Sequence, residues 1–85
     1  MVNEHFSRAA VISAIEEVAT DYVGELMAKA ASQAHLRRLG IQDERLDVDN
    51  VNAVMQSLEG AMAVLVGDRT ASVAAGEIRR KIGLR

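Results

Sequence analysis

Residues 7–40 read SRAAVISAIEEVATDYVGELMAKAASQAHLRRLG, and the fold turns on whether this stretch is one helix or two. Ile12, Ile15, Ala19, Val23, Leu26, Ala30 and Ala34 recur every three or four positions, the spacing of one face of an α-helix. Val11, Val18, Tyr22 and Met27 widen that face, while Glu16, Glu17, Thr20, Asp21, Glu25, Lys29 and Ser32 occupy the other. Glu25 and Lys29 stand four apart in the favourable order. Arg37 and Arg38 suit the negative end of the helix dipole, and Gly40 follows as a stop. Two features oppose continuity. Ser13-Ala14-Ile15-Glu16 has the form of a capping box. Gly24 lowers helix propensity by about 1 kcal/mol relative to alanine. The periodicity passes both, so the stretch is read as one helix from Ser7 to Leu39, with Gly24 a point of close packing.

Beyond Gly40 the chain turns charged. Leu46 and Val48 alternate with Asp47 and Asp49, which predicts a short extended piece over Leu46 to Val48. Asp49 or Asn50 is the expected N-cap of a second helix, Val51 to Val66, with Val51, Val54, Met55, Leu58, Met62 and Leu65 on one face. Gly67-Asp68 ends it. A third helix is expected from Thr70 to Ile82, carried by Val73, Ile78 and Ile82, interrupted at Gly76 and capped by Asp68 or Thr70, before a frayed tail. Leu36-Arg37-Arg38-Leu39-Gly40-Ile41 echoes the segment from Ile78 to Leu84, and shared C-capping chemistry accounts for the echo without duplication.

Eighty-five residues make a single domain, 1–85, of modest burial. Hydrophobic residues at 49% and charged residues at 26% exclude a disordered chain, and 2% aromatics with no proline favour helices over strands. The absence of cysteine removes disulfides, thiolate zinc sites and cysteine nucleophiles. A net charge of −2 opposes nucleic-acid coating by bulk charge. Met1 to Ala10 carries Glu4, His5 and Arg8 and lacks the apolar core of a secretory signal, and no apolar run spans a bilayer. The expected location is therefore cytoplasmic, nuclear or nucleoid.

Catalytic signatures are missing. His5 and His35 lie far apart, Asp47-Val48-Asp49-Asn50 lacks the glycine and trailing glutamate of a calcium loop, and no phosphate-binding loop or serine elbow occurs. His35 is read as a surface histidine near a helix end rather than a phospho-acceptor, and Glu16, Glu17, Asp21 and Glu25 as a solvated face. No catalytic residue, cofactor, metal site or small-molecule substrate is assigned. Arg37, Arg38, Arg79, Arg80 and Lys81 are candidate phosphate contacts, with Arg45 and Arg85 nearby in sequence.

A helix from Ser7 to Leu39 would be about 50 Å long, too long for two shorter helices to cover. The expectation is an all-α chain, a long central helix plus two shorter ones, completed by a homo- or hetero-dimer partner. Ile15, Ala19, Tyr22, Val23, Leu26, Ala30, Leu46, Val48, Val54, Leu58 and Met62 are its predicted interface and core.

Ile15, Val18 and Ala19, Asp21-Tyr22-Val23 with Glu25, and Leu46-Asp47-Val48-Asp49-Asn50-Val51 resemble the histone-fold subunits of transcription-initiation complexes (TBP-associated factors) and of a small kinetochore DNA-binding complex. The resemblance covers Val11 to Leu58. It implies obligatory dimerisation, with the extended piece pairing to a loop of the partner. Two departures stand out: Met1 to Ala10 is short for a first helix, and the second helix is longer than that family has. The expected function is a non-enzymatic, dimerising interaction module, histone-fold-like and DNA-associated. The alternative is a bacterial or viral helical-bundle adaptor without a nucleic-acid role, and a third reading is an enzyme completed by another chain.

Overall fold

The computed structural model describes residues 5–84. Strand β1 (His5–Ser7) leads into α1 (Arg8–Val23) and α2 (Glu25–Arg38); β2 (Arg45–Asp47) leads into α3 (Val48–Val66) and α4 (Asp68–Ile82). The expected long helix is thus two. Gly24 sits at φ 87°, ψ 159°, a region that only glycine enters cheaply. Its N–H donates to the Thr20 carbonyl at 3.0 Å, closing α1, and its carbonyl accepts from the Ala28 N–H at 3.0 Å, opening α2. One residue ends one helix and starts the next. A Cβ at Gly24 would meet nothing within 4 Å, so the glycine serves the backbone turn and not close packing. Ser13 causes no break.

The extended piece is Arg45–Asp47, and Val48 already belongs to α3. The cap is therefore Asp47, not Asp49 or Asn50: its carboxylate accepts from the Asn50 N–H at 2.8 Å while Asn50 Oδ1 accepts from the Asp47 N–H at 3.4 Å. β2 pairs antiparallel with β1 of the same chain, His5 opposite Asp47, Phe6 opposite Leu46 and Ser7 opposite Arg45. The strand's backbone groups are met from within. Glu4 and Arg85, noted in the sequence, lie outside the described residues.

Gly67 repeats Gly24. It has φ 90°, ψ 158°, donates to the Ala63 carbonyl at 2.9 Å and accepts from the Ala71 N–H at 3.0 Å. Neither Asp68 nor Thr70 supplies a side-chain cap, and α4 runs without interruption through Gly76. Both halves end in the same left-handed glycine motif. Gly40 and Ile41 donate to the carbonyls of Arg37 and Leu36, and Gly83 and Leu84 to those of Arg80 and Arg79. The echoed segments do share capping chemistry, and Gly83 and Leu84 are hydrogen-bonded where fraying was expected.

The likeness extends further than capping. Gly67 follows Gly24 by the same interval that separates Gly83 from Gly40. The order of elements repeats: β1, α1 and α2 are followed by β2, α3 and α4. The fold is two successive strand–helix–helix units joined through one two-stranded sheet.

Its core joins Val11, Ile15, Val18, Leu36, Leu46, Val51, Val54, Met55, Leu58 and Met62 to the small side of α4, Ala71, Ala74 and Ala75, with Ile78. Val73, expected in that face, is 53% exposed, because the buried row of α4 is the alanine row beside it. The radius of gyration is 11.9 Å and the longest extent 37 Å. The bend at Gly24 thus removes the bare rod that had called for a second chain.

Candidate interaction surface

Side-chain bonds tie neighbouring helices together, but unevenly. Between α1 and α4, the Tyr22 hydroxyl donates to Glu77 Oε1 at 3.0 Å, and Lys81 Nζ pairs with Glu17 Oε2 at 3.3 Å. The later residue of α1 meets the earlier residue of α4, so the two helices are antiparallel. Donation to the Glu77 carboxylate holds the Tyr22 phenol above its ordinary pKa, with burial and the nearby negative charge adding to it. Ser32 Oγ donates to Glu16 Oε1 at 3.2 Å between α2 and α1, and Arg79 Nη1 to Asn52 Oδ1 at 2.9 Å between α4 and α3. Ser32, placed on the polar face from sequence, is fully buried.

The α2/α3 seam differs from the α4/α1 seam. Counting back from the left-handed glycines, His35 takes the place of Ile78 and Ala34 that of Glu77. From the strand pair onward, Val11, Ala14, Ile15 and Val18 of α1 correspond to Val51, Val54, Met55 and Leu58 of α3, and α3 runs three residues longer before its glycine. Ala34 and Ala61 are exposed beside this seam, and Leu65 is 56% exposed. At the floor of this open seam His35 Nδ1 lies 2.7 Å from Ser57 Oγ. Toward the Gly24 and Gly67 end, both helices present large apolar side chains to solvent: Leu26 at 84%, Met27 at 49%, Val64 at 86% and Leu65 at 56%. Ala30, Ala34, Gly60 and Ala61 are exposed as well.

Of the residues assigned from sequence to interface and core, Ile15, Ala19, Leu46, Val54, Leu58 and Met62 are core. Tyr22, Val23 and Val48 are half-buried, while Leu26 and Ala30 are exposed. The buried face of α2 is instead Ala28, Ser32, His35 and Leu36. Among the candidate phosphate contacts, Arg79 and Lys81 are engaged by Asn52 and Glu17, and Arg37, Arg38, Arg80 and Lys81 are exposed.

His35 is not a surface residue: it is 7% exposed. Burial lowers its pKa below 6.5, and the neighbouring Arg38 charge lowers it further. Above its unfolded pKa the imidazole is neutral in both states and the full stability is present. As pH falls below about 6.5, the unfolded chain takes up the proton first, so stability declines until the folded pKa is reached. Urea unfolding between pH 8 and 5 is expected to show this loss, and His35→Phe to reduce it; equal pH dependence in both proteins would contradict a buried neutral imidazole.

A second concavity, about 690 Å³, lies between the strand ends and the start of α1, lined by His5, Ser7, Arg8, Ala9, Ile12, Glu44 and Arg45. Arg8 serves the framework there, its N–H and Nη1 donating to the carbonyls of Glu44 (2.7 Å) and Ile41 (2.6 Å). Among the described residues no group of three or more His, Asp or Glu side chains is placed to hold a metal ion, and no helix is long and apolar enough to cross a membrane. Comparison of the chain with models of known protein families, with curated proteins and with solved structures finds no match.

Proposed function

We propose that this chain is a non-enzymatic helical protein–protein interaction module that works through the outer face of α2 and α3. The observation that carries the reading is the exposure of Leu26 and Met27 at the start of α2 and of Val64 and Leu65 at the end of α3. Single exposed apolar residues are ordinary, whereas several large ones on two consecutive helices point to a binding surface. The ground for a partner is therefore this face, and no longer an uncovered rod.

DNA association is the second reading, supported by the exposed Arg37, Arg38 and Arg80. The histone-fold comparison asks for an unbroken central helix and a strand paired to a partner. Here Gly24 ends α1, and β2 is paired to β1. The interaction module is the better-supported reading.

Leu26→Asp and Val64→Asp test it. Each should change stability by no more than about 0.5 kcal/mol in dilute protein, the range of surface substitutions. A fall in melting temperature of about 10 °C in either variant, equivalent to about 2 kcal/mol here, would place these residues in the core and reject the reading. Duplex DNA is expected to remain unbound at physiological salt. Binding that weakens steeply with salt and is lost on reversing Arg37 and Arg38 would favour the second reading.

A further inference from the structure

We infer that Gly24 is a hinge, and that its straightening lets two copies of this chain exchange their β1–α1 arms, each arm packing on the α2–β2–α3–α4 body of the other copy. The inference stands apart from the interaction face proposed above, because the surfaces it joins are already packed together within one chain.

The hinge is a single residue whose hydrogen bonds are those of a continuous helix. Gly24 donates to Thr20 and accepts from Ala28, each four residues away, at 3.0 Å. Only the rungs between are missing. Among the described residues, the N–H groups of Glu25, Leu26 and Met27 find no backbone acceptor, and the carbonyls of Asp21, Tyr22 and Val23 no backbone donor. A straight helix pairs the two sets in order, whereas in the bent form no side chain caps α2. Straightening also brings Leu26, Ala30 and Ala34 into line with Ile15, Ala19 and Val23. Leu26, 84% exposed, is the large apolar residue that the bend leaves outside that line. Gly67 offers no such continuation, since Arg69, Ser72 and Gly76 would follow Leu58, Met62 and Leu65.

Length decides where the arm goes. A helix from Arg8 to Arg38 would be about 46 Å long, against a longest extent of 37 Å for the folded chain. The arm therefore cannot straighten and stay on its own body. Its departure bares Val11, Ala14, Ile15, Val18 and Ala19, together with the strand edge that pairs with β2. A second copy in the same condition bares the matching cleft, so the arm regains every contact except the bend itself. Association costs translational and rotational freedom, so the bent monomer prevails in dilute protein and exchange grows with concentration. Glycine holds the bend cheaply, whereas alanine resists it and favours a helix. Gly24→Ala therefore tips the balance toward exchange.

Sedimentation equilibrium of Gly24→Ala from about 10 µM to about 1 mM should show the mass rise from 9.2 kDa toward twice that value, with helical circular dichroism retained. Gly76→Ala, inside α4, should stay at 9.2 kDa. Strand pairing identifies the exchange, because Ser7 stands opposite Arg45. Chains carrying Ser7→Cys and chains carrying Arg45→Cys are mixed, unfolded, refolded at about 1 mM and oxidised. Unlike chains should be joined through positions 7 and 45 more often than random collision gives, and most often when both carry Gly24→Ala. A folded Gly24→Ala chain that stays monomeric, or cross-links at the random level, overturns the inference. If Gly24→Ala does not fold, the mixture without it decides: cross-links above the random level support the exchange, and their absence overturns it.

Discussion

Gly24→Ala and Gly67→Ala are each expected to destabilise the chain by about 1–3 kcal/mol, whereas Gly76→Ala should stabilise it by up to about 1 kcal/mol. All three positions have room for a methyl group, with nothing within 4 Å of the added atom, so packing does not separate them. Backbone conformation does. Gly24 and Gly67 hold φ of 87° and 90° with ψ near 160°, where a Cβ clashes with its own peptide neighbours. Gly76 lies inside α4, where glycine only adds entropy to the unfolded state. In a domain of this size each kcal/mol moves the melting temperature by about 4–8 °C, so the two classes should separate clearly in thermal melts. Equal shifts at Gly24 and Gly76 would mean that α1 and α2 are continuous after all.

The second large effect is expected at Ile15. Ile15→Ala should cost about 2–5 kcal/mol, because the side chain is fully buried in the core and its loss leaves a cavity. Leu26→Ala, on the same predicted stripe, should cost almost nothing in dilute protein, since Leu26 is 84% exposed. Urea unfolding with matched slopes makes the comparison. A Leu26→Ala loss comparable to that of Ile15→Ala would show that burial continues along the stripe past Gly24.

That stripe also shows how far the sequence could be read. Helical class, the helix ending at Gly40, the boundary at Val66 and most core residues follow from spacing and glycine placement. The bend at Gly24 does not, because one residue of positive φ reverses the chain while the apolar positions keep their count. Leu26, Ala30 and Ala34 continue the numerical pattern of Ile15 and Ala19, yet the bend turns Ala28, Ser32, His35 and Leu36 inward in their place. Two signals were available: Gly24 itself, and its spacing to Gly67, which matches that of Gly40 to Gly83. Strand β1 is three residues long, below the length at which alternation carries information, and only pairing with Leu46 and its neighbours defines it. His35 looked exposed because helix ends usually are. Its burial depends on Ser57 of α3, which local sequence does not report.

Folding within one chain bends the helical stretch at Gly24 and leaves Leu26, Met27, Val64 and Leu65 exposed while Ile15, Leu46, Leu58 and Ile78 form the core. Methyl-resolved NMR of dilute protein with a soluble paramagnetic probe checks this. The methyl signals of Leu26, Met27, Val64 and Leu65 should broaden strongly, while those of Ile15, Leu46, Leu58 and Ile78 stay sharp. Equal broadening in both sets, or protection of Leu26 and Val64, would overturn it.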